Sequence, residues 1–330
     1  MKILVLGGAG YVGSHTVLEL IDNGHDVVVA DSLVTGYRQA LPEKAIFYQG
    51  DVRDSDFLNG IFVKENIDVV IHSIHYSMPN ECAGRPIDYY NNNLYGTKVI
   101  LDTMVDHGVD KIVFSSSSSI YGEQESLLIS ETDNQKPTNR YGETKLMMEK
   151  LIFWAANAYR LKFVFLRYFN VCGSHKDGVI GEYHHFENHL IPLVLRVANG
   201  QQKEVTIHGT DYDTPDGTCI RDYIHISDLA RAHLLAAEYL MNGGKSDIFN
   251  LGSGVGYSVR EVIEVARRVT GHPIPTTNGP RREGDPARLV ASGEKAKKIL
   301  GWSPTITSLD EMIASAWCWQ SSHPNGYNKI

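Results

Sequence analysis

Tyr141 and Lys145 are the residues whose types and spacing most directly offer chemistry. Residues four apart lie on one face of a helix, so the phenol and the ammonium would point the same way. A nearby ammonium favours the phenolate and lowers a phenol pKa that is about 10 in isolation. The pair therefore predicts a tyrosine base suited to removing a proton from an alcohol, although surface helices also contain Tyr and Lys at this spacing by chance.

A run of serines at 115–119 follows an apolar segment and offers hydroxyl groups for the same chemistry. We expect Ser117 to hydrogen-bond the substrate oxygen that Tyr141 deprotonates. For the other serines of the run, a polar turn is the alternative interpretation.

A glycine-rich turn, GGAGYVG at 7–13, opens a predicted helix directly after the first apolar run. Small residues let the main chain approach a pyrophosphate, and the helix N-terminus supplies free N–H groups and the positive end of the helix dipole. The turn therefore predicts a dinucleotide site. Taken alone, the same pattern also occurs in tight structural turns.

An acidic residue, Asp31, ends the second predicted strand. At this place a carboxylate accepts hydrogen bonds from the ribose hydroxyls of an adenosine, and it would repel a 2′-phosphate, so we expect NAD rather than NADP. Asp51 and Val52 follow the third predicted strand, where an adenine edge can be bound. Asp51 alone fits equally well as a helix cap.

Short β-branched and apolar runs alternate with amphipathic segments along the first half of the chain. We predict strands over 2–6, 26–30, 46–49, 69–72, 111–115, 163–167 and 247–251. We predict helices over 11–23, 96–107, 141–159 and 228–240. This alternation is typical of an α/β fold in which helices cover both faces of a parallel sheet.

Length, charge and cysteine usage exclude several classes of protein. The 330 residues correspond to about two domains, and a net charge of −8 lacks the basic excess of a nucleic-acid binder. No apolar run approaches the roughly 20 residues of a membrane span, so we expect a soluble protein without a membrane partner. Four cysteines without C-x-x-C spacing argue against a disulfide framework and favour the cytoplasm.

Together the glycine turn, Asp31, Asp51, Ser117 and Tyr141-x-x-x-Lys145 make the chain resemble the extended short-chain dehydrogenase/reductases. More narrowly, it resembles the UDP-glucose/UDP-galactose 4-epimerase family over nearly its whole length. Five strings in the expected order carry the narrower resemblance: NNLYGT at 92–97, RYFN at 167–170, DGTCIRDYIH at 216–225, PRREGD at 280–285 and HPNGY at 323–327.

The resemblance implies a Rossmann-type doubly wound parallel sheet with a smaller, discontinuous α/β substrate domain. The expected NAD-binding domain covers 1–170 plus about 223–251, and the nucleotide-sugar-binding domain covers 171–222 and 252–330. The implied activity is the reversible 4-epimerisation of UDP-galactose and UDP-glucose through a transient 4-keto sugar, with the hydride stored on tightly bound NAD. A homodimer formed by the helices over 87–107 and 141–159 is implied as well.

The resemblance also implies roles for individual residues. The implied catalytic residues are Tyr141, Lys145 and Ser117. The implied cofactor-binding residues are Gly7, Gly10, Tyr11, Val12, Gly13, Asp31, Asp51, Val52, Asn92, Ser115, Tyr141, Lys145 and Phe169. The implied substrate-binding residues are Ser117, Tyr141, Asn170, His189, Leu190, Arg221, Arg282 and Asp285. Arg221 and Arg282 would bind the diphosphate, with surface salt bridging as the alternative.

Three further features have consequences for the site. His184, His185 and His189 lack the helical spacing with a carboxylate that is typical of a metal site, so we expect no metal. Ile74 and His75 stand where the family has small residues near the cofactor, so either the loop is rebuilt locally or cofactor affinity is reduced; we expect that NAD still binds. Leu289 is intermediate in size, so UDP-N-acetylhexosamines or UDP-pentoses are alternative substrates; a catalytically impaired NAD-binding scaffold is a third alternative.

Overall fold

The coordinates are a computed structural model, which describes residues 1–74, 76, 84–184 and 187–327. The strands are β1 (Lys2–Leu6), β2 (Asp26–Asp31), β3 (Ile46–Gln49), β4 (Val69–His72), β5 (Lys111–Ser117), β6 (Lys162–Tyr168), β7 (Asn170–Cys172), β8 (Val205–His208), β9 (Ile220–His225), β10 (Asp247–Leu251), β11 (Gly256–Ser258), β12 (Thr276–Gly279) and β13 (Arg288–Leu289).

The α-helices are α1 (Tyr11–Asp22), α2 (Ser55–Lys64), α3 (Pro86–Tyr90), α4 (Gly96–Asp106), α5 (Arg140–Tyr159), α6 (Leu190–Ala198), α7 (Ile226–Met241), α8 (Val259–Thr270), α9 (Glu294–Leu300) and α10 (Leu309–Ser322). A π-helical turn, Asn91–Tyr95, joins α3 to α4. Short 3-10 turns cover Arg38–Ala40 and Ser118–Ile120.

Seven strands form one large sheet in the order β10-β6-β5-β4-β1-β2-β3. Every neighbouring pair in this sheet is parallel. Central strands such as β1 are apolar along most of their length because helices bury both of their faces. The doubly wound α/β fold predicted from the sequence is confirmed.

Two apolar cores hold the helices against the large sheet. On one face, α1 and α7 pack through residues such as Leu20 and Leu234. On the other face, α2, α4 and α5 pack through residues such as Ile100 and Met148. All four of these side chains are essentially fully buried, so both helix layers are fixed to the sheet.

The predicted strand boundaries agree closely with the structure. Strands β1, β3, β4 and β10 begin and end at the predicted residues. Strand β2 runs one residue further because Asp31 pairs with Gln49, and β5 runs two residues further because Ser117 pairs with Tyr168. Both added strand ends are expected site residues, so the sheet itself holds them.

A second group of strands lies outside the large sheet. Strand β9 pairs in parallel with β7 and β13 and antiparallel with β11, while β8 pairs with β12. Helices α6, α8 and α10 surround a third apolar core in this region. The division into two domains stays a prediction; β9 crosses the expected boundary at 222–223 and pairs only with strands of the smaller region.

A buried ion pair ties α5 to the large sheet. Glu149 accepts hydrogen bonds from Arg167 Nε at 2.9 Å and Nη2 at 2.6 Å, and from the Ser116 hydroxyl at 2.5 Å. Arg167 also donates to the Tyr121 hydroxyl at 2.9 Å, which donates in turn to Asn250 at 2.6 Å. The network therefore joins α5 to β5, β6 and β10.

None of the described helices is long and apolar enough to cross a membrane. Among the described residues, Cys172, Cys219 and Cys318 are free thiols. Cys82 lies outside the described residues.

Replacing Glu149 by Gln leaves the buried Arg167 guanidinium without its counter-charge. We expect the free energy of unfolding to fall by about 3–5 kcal/mol, measured by urea denaturation. The matched control is Glu264→Gln, which removes an exposed pair with Arg267 and should cost less than about 1 kcal/mol. Equal losses in the two variants would contradict a dominant role for the buried pair.

Candidate active site

A cavity of about 640 Å³ opens where the strands of the large sheet end. Gly7 follows β1, Asp31 ends β2 and Ser117 ends β5, and all three line the cavity. Neighbouring strands β1 and β4 lead into helices on opposite faces of the sheet. Open α/β sheets bind ligands at such a switch point, beyond the carboxyl ends of their strands.

Most of the residues expected at the site line this one cavity. They are Gly7, Gly10, Tyr11, Val12, Gly13, Asp31, Asp51, Val52, Asn92, Ser117, Tyr141, Phe169, Asn170, His189, Leu190, Arg221, Arg282 and Asp285. Lys145 and Ser115 are instead fully buried behind its wall.

The glycine turn forms a cradle that has no room for side chains. Gly7 has φ +80°, a left-handed conformation that favours glycine. A Cβ atom on Gly13 would lie 2.1 Å from the Gly7 carbonyl oxygen, so the turn and the first turn of α1 are in direct contact. Gly10 precedes α1 in an extended conformation, which leaves the helix N-terminus facing the cavity.

Both carboxylate oxygens of Asp31 are fixed by the main chain. Oδ2 accepts from the Ala9 N–H at 2.9 Å and Oδ1 from the Leu33 N–H at 2.8 Å. Burial raises the pKa of Asp31, and the two N–H donors partly offset that rise. Each oxygen keeps a second lone pair, so Asp31 can accept further hydrogen bonds at the cavity wall.

Asp51 is bound by an arginine that sequence reasoning did not single out. Arg53 donates to both Asp51 oxygens through Nε at 3.0 Å and to Oδ2 through Nη2 at 2.5 Å. These hydrogen bonds lower the pKa of Asp51. The spacing of Asp51 and Arg53, two residues apart, could have indicated this pair in the sequence. Asp51 does not cap α2; the side chain of Asp54 does.

The Tyr141 hydroxyl shares a hydrogen bond with the Ser117 side chain. Lys145 lies one turn further along α5, with Nζ 5.9 Å from the centre of the Tyr141 ring. Its Nζ donates to the Ser115 carbonyl oxygen at 2.6 Å. The arrangement places a phenol and a serine hydroxyl together at the cavity wall, with an amine behind them.

The predicted lowering of the Tyr141 pKa is wrong for the protein as it stands. Burial raises the pKa of Tyr141 well above its ordinary value, and the hydrogen bond with Ser117 only partly opposes this. The same burial lowers the pKa of Lys145. Because burial disfavours the charged form of the amine, its influence on the phenol is smaller than the spacing alone predicts.

A buried histidine lies behind the serine-rich strand end. His233 Nδ1 donates to the Leu229 carbonyl at 2.9 Å, so Nε2 accepts from the Ser115 hydroxyl at 2.8 Å. Burial lowers the pKa of His233 to about 4, which keeps the ring neutral. Ser115 also contacts the Ser73 hydroxyl at 2.9 Å. Ser115 therefore orients the wall rather than lining the cavity.

The smaller region contributes charged groups to the lining of the cavity. Arg221 donates to Asp285 at 3.0 Å, and Arg282 also lines the cavity. Asn170 at the start of β7 and Leu190 at the start of α6 line the cavity as well. Two guanidinium groups in one wall can bind a diphosphate with forked donors.

His189 is held by carboxylates that the sequence analysis did not use. Its Nδ1 lies 2.6 Å from Glu182 Oε1 and 3.7 Å from Glu187 Oε1. Partial desolvation opposes charge on the His189 ring, but the hydrogen bond to Glu182 and the negative charges of Glu182 and Glu187 outweigh it and raise the pKa of His189 to about 9.

Ile74, one of the two large residues expected near the cofactor, lies against the glycine turn. A Cβ atom on Gly7 would lie 3.0 Å from Ile74 Cγ1 and 3.1 Å from the Ile74 nitrogen. Ile74 lines the cavity and packs against the core beneath α4 and α5. His75, the other large residue of this wall, lies outside the described residues, as does His185.

Several relatives match this chain along its full length. The family model described as "NAD dependent epimerase/dehydratase family" matches residues 3–252. A UDP-glucose 4-epimerase of Halalkalibacterium halodurans is 54% identical over 328 residues, which is 99% of this chain and 98% of that one. A UDP-glucose 4-epimerase of Lacticaseibacillus casei is 52% identical, with 99% of each chain covered.

Solved structures agree with these relatives. One crystal structure of a UDP-glucose 4-epimerase has a TM-score of 0.96 and 50% identity, with 100% of both chains covered. The UDP-glucose 4-epimerase of Bifidobacterium longum, in complex with NAD⁺ and UDP, has a TM-score of 0.94 and 41% identity over 99% of this chain and 100% of that one. The resemblance predicted from the motifs is confirmed. A family match over most of the chain, together with relatives of more than half identity, means that the chain belongs to the NAD dependent epimerase/dehydratase family.

Proposed function

We propose that this protein catalyses the reversible 4-epimerisation of UDP-galactose and UDP-glucose, using tightly bound NAD, with Tyr141 as the acid and base. The observation that carries the proposal is that one cavity is lined by the glycine turn, by Arg221 and Arg282 and by the Tyr141–Ser117 pair. A dinucleotide, a nucleoside diphosphate and an alcohol each find a matching group there.

The residues at the sheet edge fit NAD. The contact between Gly13 and Gly7 leaves a cradle that a Cβ would fill, and the N-terminus of α1 faces it. Asp31, with both oxygens already positioned, would accept from the adenosine ribose. Further residues proposed to hold the cofactor are Gly10, Tyr11, Val12, Asp51, Val52, Asn92, Tyr141 and Phe169, with Ser115 and Lys145 supporting the cofactor site from behind the cavity wall. When bound, oxidised NAD supplies a hydride acceptor and a positively charged ring.

Tyr141 and Ser117 perform the proton chemistry in this proposal. Ser117 hydrogen-bonds the oxygen at C4 of the sugar and orients it toward the Tyr141 hydroxyl oxygen. The phenolate of Tyr141 takes the proton from this oxygen as the 4-keto sugar forms and returns it when the alcohol is restored. Burial alone disfavours both the phenolate and the charged amine of Lys145, so in this proposal Lys145, held by the Ser115 carbonyl, favours the phenolate together with the positive ring of bound NAD.

The arginines bind the substrate in this proposal. Arg221 and Arg282 hold the diphosphate, and Asp285 accepts from the nucleoside ribose. Asn170, His189 and Leu190 complete the nucleotide-sugar site. Because the diphosphate is bound by charge, the sugar ring needs few contacts of its own and can turn over between the two half-reactions.

The assembly and the location are parts of the same proposal. Helices α3 and α5 pack against each other and leave large apolar side chains exposed, with Ile87 81%, Trp154 68% and Phe153 44% exposed. Such a patch is typical of a protein interface, which supports the homodimer that the sequence resemblance implied. We also place the protein in the cytoplasm, in keeping with its free thiols.

Replacing Tyr141 by Phe removes the hydroxyl but keeps the ring in its packed position. We expect kcat with UDP-galactose to fall by at least about 100-fold, because the proton has no acceptor. The measurement couples product formation to UDP-glucose dehydrogenase.

Equal rates for this variant and the parent would contradict the base assignment. A parent protein that holds NAD but does not turn over would favour the scaffold alternative. Faster turnover of UDP-N-acetylgalactosamine than of UDP-galactose would favour the shifted sugar range, for which the buried Leu289 lines the cavity.

The glycine cradle is tested by the NAD content of the purified protein. We expect denatured parent protein to release about one NAD per chain, and Gly13→Ala to release less than about a tenth of that, because its Cβ would collide with the Gly7 carbonyl. The control is Gly60→Ala in α2, where a Cβ meets nothing within 4 Å. A folded parent that is empty and takes up no NAD on incubation would contradict the cofactor proposal.

The proposed dimer is tested by light scattering after size-exclusion chromatography. The parent should elute with the mass of two chains, and Trp154→Glu should shift it toward one chain, because a charge is then buried in the apolar interface. The control is Val63→Glu, which alters an equally exposed apolar residue on α2. A parent with the mass of a single chain contradicts the dimer.

A further inference from the structure

Four ligand-type side chains meet beside the cavity on the segment that leads into α6. Each offers one nitrogen or oxygen atom, and these four atoms all lie within 4.8 Å of one another. We call them the His–Glu cluster: Glu182, His184, Glu187 and His189. These residues lack the helical ligand spacing that is typical of a metal site, and only the folded chain brings the four side chains together.

The spacing of the His–Glu cluster is close to that of a tetrahedral metal site. Zn²⁺ bonds of about 2.0–2.1 Å place neighbouring ligand atoms roughly 3.3 Å apart. His184 Nδ1 lies 3.1 Å from Glu187 Oε2 and 3.6 Å from Glu182 Oε1. His189 Nδ1 lies 2.6 Å from Glu182 Oε1, and the remaining pairs of ligand atoms lie within 4.8 Å of each other. Shifts of less than about 1 Å by each atom would therefore bring all four to bonding distance.

The carboxylates of the cluster are already positioned and withdrawn from solvent. The Glu187 side chain is 1% exposed and that of Glu182 is 8% exposed. Glu187 Oε1 accepts from the main-chain N–H groups of Asn188 and His189, both at 2.9 Å, so its Oε2 faces His184. Such support fixes a ligand before an ion arrives.

The donor set selects a class of ion. Imidazole nitrogens suit Zn²⁺ and neighbouring transition metals, whereas Ca²⁺ and Mg²⁺ prefer oxygen ligands throughout. A divalent ion would replace the proton that lies between His189 and Glu182 and would balance the charges of both carboxylates. Four protein ligands make a closed, structural type of site rather than a catalytic one.

We propose that the His–Glu cluster binds one divalent transition-metal ion of the Zn²⁺ class, contrary to the expectation from the sequence. The ion fixes the segment before α6, and with it His189 and Leu190 at the cavity wall. The site uses Nδ1 of His189, so Nε2 stays available to the nucleotide sugar. The proposal does not depend on the epimerase activity.

The test is a spectroscopic titration of the protein as purified, after dialysis against a chelator. Tetrahedral Co²⁺ absorbs visible light strongly and six-coordinate Co²⁺ absorbs weakly, so Co²⁺ reports both binding and geometry. We expect one Co²⁺ per chain with the intense tetrahedral bands, displaced by one equivalent of Zn²⁺.

Two variants each remove one ligand, His184→Gln and Glu187→Gln, and each should weaken Zn²⁺ binding by at least about tenfold. Their controls are His272→Gln and Glu264→Gln, at exposed positions outside the cluster, which should bind as the parent does. Thermal unfolding without metal shows which variants are folded. One folded ligand variant is enough to test whether the cluster binds the ion.

A folded parent without tetrahedral bands overturns the proposal, whatever the variants do. Binding that survives in a folded ligand variant, or that the controls lose equally, also overturns it. No nucleotide sugar enters the titration, so a metal-binding protein without epimerase activity would contradict the proposed function alone, and an active protein without the bands would contradict the metal site alone.

Discussion

The hydrogen bond from Lys145 Nζ to the Ser115 carbonyl joins the helix that carries the candidate base to the strand that carries its serine partner. A fully buried amine is costly without a partner, so this contact fixes α5 against β5. The ion pair of Glu149, one turn further along α5, fixes the same two elements again. Tyr141 and Ser117 can therefore meet at a rigid edge of the sheet.

Most of the fold could be predicted because the strands of the large sheet are buried on both faces and therefore appear in the sequence as nearly continuous apolar runs. The site could be predicted where its residues lie at strand ends, as Asp31 and Ser117 do. The direction of the Tyr141 pKa shift could not be predicted from the sequence, because it depends on the burial of the side chain in the folded protein. The hydrogen bond between His233 and Ser115 could not be predicted either, because it joins residues 118 positions apart in the sequence.

The net charge of −8 does not prevent binding of a doubly charged diphosphate. The field in a cleft depends on the groups that line it more than on the total charge. Arg221 and Arg282 lie in the cavity wall, and Asp285 holds Arg221 in place through a 3.0 Å ion pair. The Asp285 carboxylate weakens the attraction between the cavity and the diphosphate, but it holds the Arg221 guanidinium in one orientation.

The glycine turn and the arginines would bind their ligands through different kinds of interaction. At the glycine cradle the fit is steric, because the main chain of Gly7 and Gly13 leaves no room for a Cβ atom. At the arginines the fit is electrostatic and tolerates more movement. The hydroxyls of Tyr141 and Ser117 line the same cavity and form the proposed reacting pair. A substrate held by its charged end and touched by two hydroxyls can present either face of a ring to one fixed dinucleotide, which is the requirement of an epimerisation rather than a one-way oxidation.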